Sequence, residues 1–455
     1  MTSFPFTHPR VSRRVAAVLA SIFALLLLRA ADLHGASPAW PGPVSTLYRL
    51  RVDGREVPVH DESRFGFHTA AFTISKPATV EIALPAGASE PVVRPLRHSL
   101  KPVVRDGKAS FTLSAPLNLV IQIAGQPPLA LFATPVETEV PRPDDPTVLY
   151  FGPGLHEPGV IRPRDGQTIY LAEGALVKGR IEAKDVNGVR VLGRGVLDTG
   201  AYSIREDKTP GILFEKCRDI RVEGIGLRGG SWWQVLFLLT DDAEVAHMNL
   251  LGVSVNTDGI DIDGVRNFVA RHCFIRCEDD GFGWHAVDAR RNGEPPTENC
   301  LAEDCVIWNT RWGNGLRIGA SMETQLFRNI TFRNIDVLEH AGAAIRSDHS
   351  DWALCENLRF ENFVDEAPGR VIEVVIARTR YSNDNGYKDE RGRIQGLHFK
   401  NVSSVGGDIV LKGHDATHGI DDVTFENCTI AGRPVRGPED IVTNEFVTNL
   451  SFVRP

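Results

Sequence analysis

From Tyr48 to Gly125 the chain alternates apolar and polar residues in short runs. YRLRVDG, AFTIS, TVEIALP, ASFTLS and LNLVIQIAG are separated by Gly, Pro or Asp. Period-two alternation broken by turn residues predicts β-strands, and their spacing predicts a small antiparallel sandwich over 37–135. VETEVPRPDDP then places three prolines in eleven residues, which predicts a stiff linker over 136–146.

Beyond the linker the pattern repeats. VAHMNLLGV at Val245, VARHCFIRC at Val269, LAEDCVIWN at Leu301, FRNIDVLEH at Phe332, LRFENFVDE at Leu358, LHFKNVSSV at Leu397 and VTFENCTIAG at Val423 share alternating apolar positions. Aligned on Asn249, Cys273, Cys305, Ile335, Phe363, Val402 and Cys428, the spacings are 24, 32, 30, 28, 39 and 26. A loose period of this size, carried by strands, predicts a solenoid. Each coil buries its apolar face only by stacking on the next. The fold class expected for 147–455 is therefore all-β, a right-handed parallel β-helix. In that frame the cysteines are inward ladder residues, with a disulfide between Cys273 or Cys277 and Cys300 or Cys305 left open. Asn334, Asn362, Asn401 and Asn427 become turn caps.

The amino terminus stands apart. Arg10, Arg13 and Arg14 precede an apolar run from Val15 to Leu28, and small residues follow around Gly35 and Ala36. That order predicts a cleaved signal peptide over 1–36 and a secreted or periplasmic protein. The run is shorter than the ~20 residues of a membrane span. Net charge is −8 for the full chain, and an acidic balance argues against a nucleic-acid partner. The seven cysteines show no CxxC pair, so no metal site is expected. Oligomeric state is not legible.

Two acidic knots carry the chemistry. NTDGIDIDG spans residues 256–264 and CEDDGFGWHA begins at Cys277; Asp258 precedes Asp280 by about one coil. Asp-Gly is common turn punctuation. Two knots at one-coil spacing instead bring carboxylates from adjacent coils together, as a glycosidase acid and base require, with ~6.5–9.5 Å between them in an inverting enzyme. Like charges would also keep one of them protonated.

NTDGID followed one coil later by Asp-Asp resembles glycoside hydrolase family 28, the polygalacturonases. It is also similar to the related family 49 dextranases and isopullulanases. The likeness covers most of 147–455, including YFGPGLHEPGVI and GQTIYLAEGALVKG. It implies Asp279 as general acid, Asp258 and Asp280 holding the attacking water, and no cofactor. The sequence departs from family 28 twice. Asn314 stands where its G-H-G histidine, which assists the acid, is expected; Asn314 is a candidate substrate-binding residue and His285 a candidate substitute for the histidine. Arg346 matches its R-I-K arginine, but Asp348 replaces the lysine, and Arg317 is a second candidate cation. Among the tryptophans, Trp284 and Trp312 are candidate sugar platforms.

The expected activity is inverting hydrolysis of an extracellular polysaccharide. Pectic galacturonan is the substrate the resemblance implies, and a neutral α-glucan such as dextran is its rival. A uronate lyase and a non-catalytic glycan-binding solenoid are the alternatives of other classes.

Overall fold

The computed structural model describes residues 42–453, apart from 86, 203–207, 231, 288 and 383–388. The expected leader lies outside the described residues.

Arg49–Val52, Arg55–Val57, Ala78–Ala83, Val103–Arg105 and Lys108–Leu113 form one five-stranded sheet. A second contains His60–Glu62, Phe67–Thr73, Val92–Arg94, Asn118–Gln122 and Leu129–Thr134. Leu50, Val80, Leu113, Leu119, Ile121 and Leu131 fill the space between them. The expectation of a purely antiparallel sandwich is corrected, because Leu129–Thr134 runs parallel to Phe67–Thr73. Every residue of Leu129–Thr134 is buried. The reason is that the second sheet is covered on both faces. Its outer residues Phe67, Ala71, Val120 and Phe132 pack on Leu251, Phe274, Val306 and Trp308 of the later strands. Arg94 adds a buried bond to Glu366 at 2.6 Å and another to the Leu338 carbonyl at 2.6 Å.

From Val148 onward, parallel strands stack as a β-helix with three strands per coil. One coil runs Arg266–Arg271, Phe274–Cys277 and Phe282–Ala286 before the chain returns at Thr297–Glu303. The first kind of strand builds a twelve-stranded sheet; the other two kinds form rows of parallel strands within a twenty-stranded one. Phe332, Phe360, Phe399, Phe425 and Phe452 stack through the interior at successive centroid distances of 5.7, 5.2, 5.0 and 5.6 Å.

The repeat holds in register from Cys273 onward, but its first member is corrected. Asn249 pairs with Phe274, so Met248 occupies the Cys273 position. All seven cysteines are buried free thiols. The asparagines cap the turns as expected. Asn334, Asn362, Asn401 and Asn427 have φ of 53°, 51°, 52° and 51°. Each amide donates to the side chain one coil back, at 2.9 Å to Asp304 and then 3.0, 2.7 and 2.8 Å along the ladder.

Candidate active site

Both acidic knots fall in the turn between the second and third strands of a coil. Register settles their relationship. Val235, Ile260, Phe282 and Leu316 are successive partners along one row. Two residues before each stand Trp233, Asp258, Asp280 and Asn314, which are therefore stacked. Backbone bonds confirm it: Gln234 donates to the Asp258 carbonyl at 2.9 Å, Gly259 to that of Asp280 at 2.9 Å, and Gly281 to that of Asn314 at 3.0 Å. The intervening glycine has its own cause. A Cβ at Gly259 would lie 2.2 Å from the Gly281 carbonyl oxygen, and one at Gly281 2.4 Å from that of Gly315. The Asp-Gly pairs are thus required turns and a stack of functional groups at once.

Asp280 is 1% exposed. Its Oδ1 accepts from the Asn314 backbone at 2.8 Å and the Asn314 amide at 2.6 Å, and Arg317 Nη1 lies 3.4 Å from its Oδ2. Asn314 Oδ1 in turn accepts from Ala343 at 2.9 Å. The expectation that Asn314 binds substrate is corrected: it is buried and holds Asp280. Asp279 is half-buried, one place earlier in the turn. Asn256 reaches its Oδ2 at 3.4 Å, and the buried Asn309 amide clamps both its carbonyl and that of Trp312. Asp258 is buried, and its Oδ1 has no hydrogen-bond partner among the described residues.

Desolvation and then the Asp280 charge raise the Asp279 pKa to about 6, against the opposing pull of Arg317. Burial, then the neighbouring carboxylates, raise Asp258 well above the usual carboxylate range. A carboxyl that keeps its proton beside one tied to three donors is how one site holds an acid and a base.

One oxygen from each of Asp258, Asp279 and Asp280 lies within 4.8 Å of the others. Three such oxygens are fewer than the six to eight that calcium takes, and we assign no metal here.

The remaining candidates separate. Trp284 is fully buried against Phe268, Phe282 and Phe332, so its expected platform role is corrected. The strand explains this: Phe282 and Trp284 point inward while Gly283 and His285 point out. Trp308 packs against Phe67 of the sandwich. Trp312 is 51% exposed, with its backbone bonded to Glu278 beside the acids. His285 is buried and binds Asp261 at 3.0 Å, not one of the three acids, so its expected assistance to Asp279 is corrected. Arg317 donates to both oxygens of Asp348, at 2.8 and 2.6 Å, and Arg346 to Glu373 at 2.5 Å.

The sequence reading missed Asp261, Asn309 and Trp233. Outward parity in NTDGIDIDG pointed to Asp261 without showing its partner. Trp233 stacks on the His285 ring at 4.9 Å, and its rank beside Asp258 becomes visible only with the register.

Comparison with solved structures bears on the fold. Dex49A from Penicillium minioluteum superposes with a TM-score of 0.63 at 14% identity, covering 92% of this chain and 96% of its own. The likeness agrees with the fold of this chain, a right-handed parallel β-helix. An exopolygalacturonase from Thermotoga maritima shares 17% identity over 67% of this chain and 83% of its own, with a TM-score of 0.49. A polygalacturonase from Erwinia carotovora ssp. carotovora shares 16% over 64% and 87%, with a TM-score of 0.44. No family model and no curated protein sequence matches the chain.

Proposed function

We propose that the protein is a glycoside hydrolase of the polygalacturonase and dextranase type that cleaves a polysaccharide with inversion. Asp279 is the general acid. It is the most accessible of the three carboxyls, and it keeps its proton to about pH 6. Asp258 and Asp280 hold the attacking water, which takes its place against the unpartnered Asp258 oxygen. The observation that carries the reading is the stack of Asp258 on Asp280 in adjacent coils, with Asp279 one place away. Trp233, half-buried, and Trp312, exposed, offer ring faces on which sugars stack. Secretion follows from the leader-like amino terminus.

Retention is the second reading: retaining enzymes set their carboxyls ~5–5.5 Å apart, and one oxygen from each of the three acids falls within 4.8 Å of the others. Against it, Asp280 is bound by Asn314 and Arg317 and lies buried, which suits holding a water better than attacking an anomeric carbon.

Purified protein would be assayed on dextran and polygalacturonate side by side, following reducing ends and the ultraviolet absorbance of unsaturated sugars. New reducing ends without absorbance, lost in Asp279→Asn, are expected on one of them. Absorbance rising with the ends would mean a lyase.

A further inference from the structure

Downstream of the acids, charged side chains alternate in sign along the outward face of the coils. Asp280 lies 3.4 Å from Arg317, which binds Asp348 at 2.6 Å, and Asp348 lies 3.7 Å from Arg346. Arg346 binds Glu373 at 2.5 Å, Glu373 binds Arg370 at 2.5 Å, and Arg370 binds Asp408 at 3.2 Å. Strand register explains the row. Arg317, Arg346 and Glu373 are direct partners on successive coils, and Asp348 stands two residues beyond Arg346 on the same outward face. Each guanidinium sits between two carboxylates, and the row begins and ends on a carboxylate. Four negative groups therefore face three positive ones.

Resting on the hydrolase reading above, we infer that this row closes the face downstream of the acids to uronic acids, and that Asp348 is the specificity-determining residue. It acts as a built-in carboxylate that occupies Arg317, the cation nearest the acids. The substrate class that fits is a glycan of uncharged sugars.

Three features support Asp348 over its neighbours. Its bond to Arg317 is bidentate, the strongest geometry a guanidinium offers a carboxylate. Its side chain is 10% exposed and that of Arg317 16%, so a substrate carboxylate would have to displace a largely desolvated partner. Arg317 is also covered from outside, since the Tyr381 ring lies 5.1 Å from its Cζ. Arg346 and Arg370 are more exposed, at 31% and 39%, but both are held by Glu373. A uronate on this face would meet a row with one surplus negative charge and no unengaged guanidinium within it. Rejecting an analogue through placed like charge is a common route to specificity.

The test measures affinity for a galacturonate trimer by calorimetry, which needs no turnover, on the parent, Asp348→Ala and Asp348→Asn. The alanine variant removes the built-in carboxylate and should bind about tenfold more tightly than the parent at low ionic strength. Raising salt to about 0.5 M should abolish that gain. The asparagine variant keeps one acceptor for Arg317 and should gain less in the same direction, so it serves even if the alanine variant fails to fold. Unchanged or weaker affinity in a folded variant, including no binding to either protein, overturns the inference. So does a parent that already binds the trimer more tightly than its variants. Unsaturated products from the parent, read by their ultraviolet absorbance, would separately remove the hydrolase reading and leave the binding result standing.

Discussion

His285 Nε2 lies 3.0 Å from Asp261 Oδ1, while its Nδ1 faces the Gly319 carbonyl at 3.0 Å. A carbonyl only accepts, so Nδ1 carries a proton, and one further proton is shared between Nε2 and Asp261. Burial lowers the histidine and raises the aspartate, which puts that proton on Asp261 in a neutral pair. Gly283 makes the bond possible, because a Cβ there would stand 2.1 Å from Asp261 Oδ1. Asp261→Asn, whose amide can donate to Nε2, should leave stability nearly unchanged. Asp261→Ala should cost about 1–3 kcal/mol by stranding a buried acceptor. Denaturant unfolding distinguishes them, and equal stabilities would refute the shared proton.

The raised Asp279 gives a signed pH prediction. An acid must be protonated to donate, so kcat/KM should fall about tenfold per unit above about pH 6, and it should fall again in acid as the carboxylate that activates the water is protonated. On the alkaline side stability runs the same way. The folded pKa exceeds the unfolded value of 3.8, so this group's contribution is fully present below about pH 4 and lost as pH rises through about 6. Asp279→Asn should therefore gain stability relative to the parent at pH 8 and not at pH 4, as melting temperatures would record.

The asparagine ladder should be structural throughout. Asn362 donates to Asn334, accepts from Asn401 and holds φ at 51°. Asn362→Ala loses both bonds and strains the left-handed turn, at about 1–3 kcal/mol. Asn362→Gly relieves the strain and should be the milder change. A thermal melt in which alanine is the milder of the two would contradict the assignment.

The buried thiols predict slow chemistry. Burial raises Cys277, Cys300, Cys305 and Cys355, so little thiolate forms. A thiol reagent should titrate essentially none in the native protein and all seven after denaturation. Fewer than seven on denaturation without reductant would reveal the disulfide that the sequence left open.

Much of this was legible in the chain. Inward positions such as Cys273 and Cys305 repeat because every coil must fill the same interior, and turn asparagines repeat because every coil must turn. Asp258 and Asp280 stood out because Asp-Gly recurred at one-coil spacing. What the sequence hid is set by register. Asn249 misled because Asn-Leu-Leu looks like Cys-Phe-Ile shifted by one. Trp284 looked like a sugar platform until its strand parity turned it inward. The partners of His285, Arg317 and Arg346 lie 24 to 31 residues away, on neighbouring coils whose alignment the intervening loops shift.

The most direct test of the central claim is the anomeric configuration of the first product, read by proton NMR as the polysaccharide that responds in the paired assay is cleaved. The account predicts inversion, with no product from Asp279→Asn. A first product that retains configuration would contradict the water-holding roles of Asp258 and Asp280 and make one of them a nucleophile.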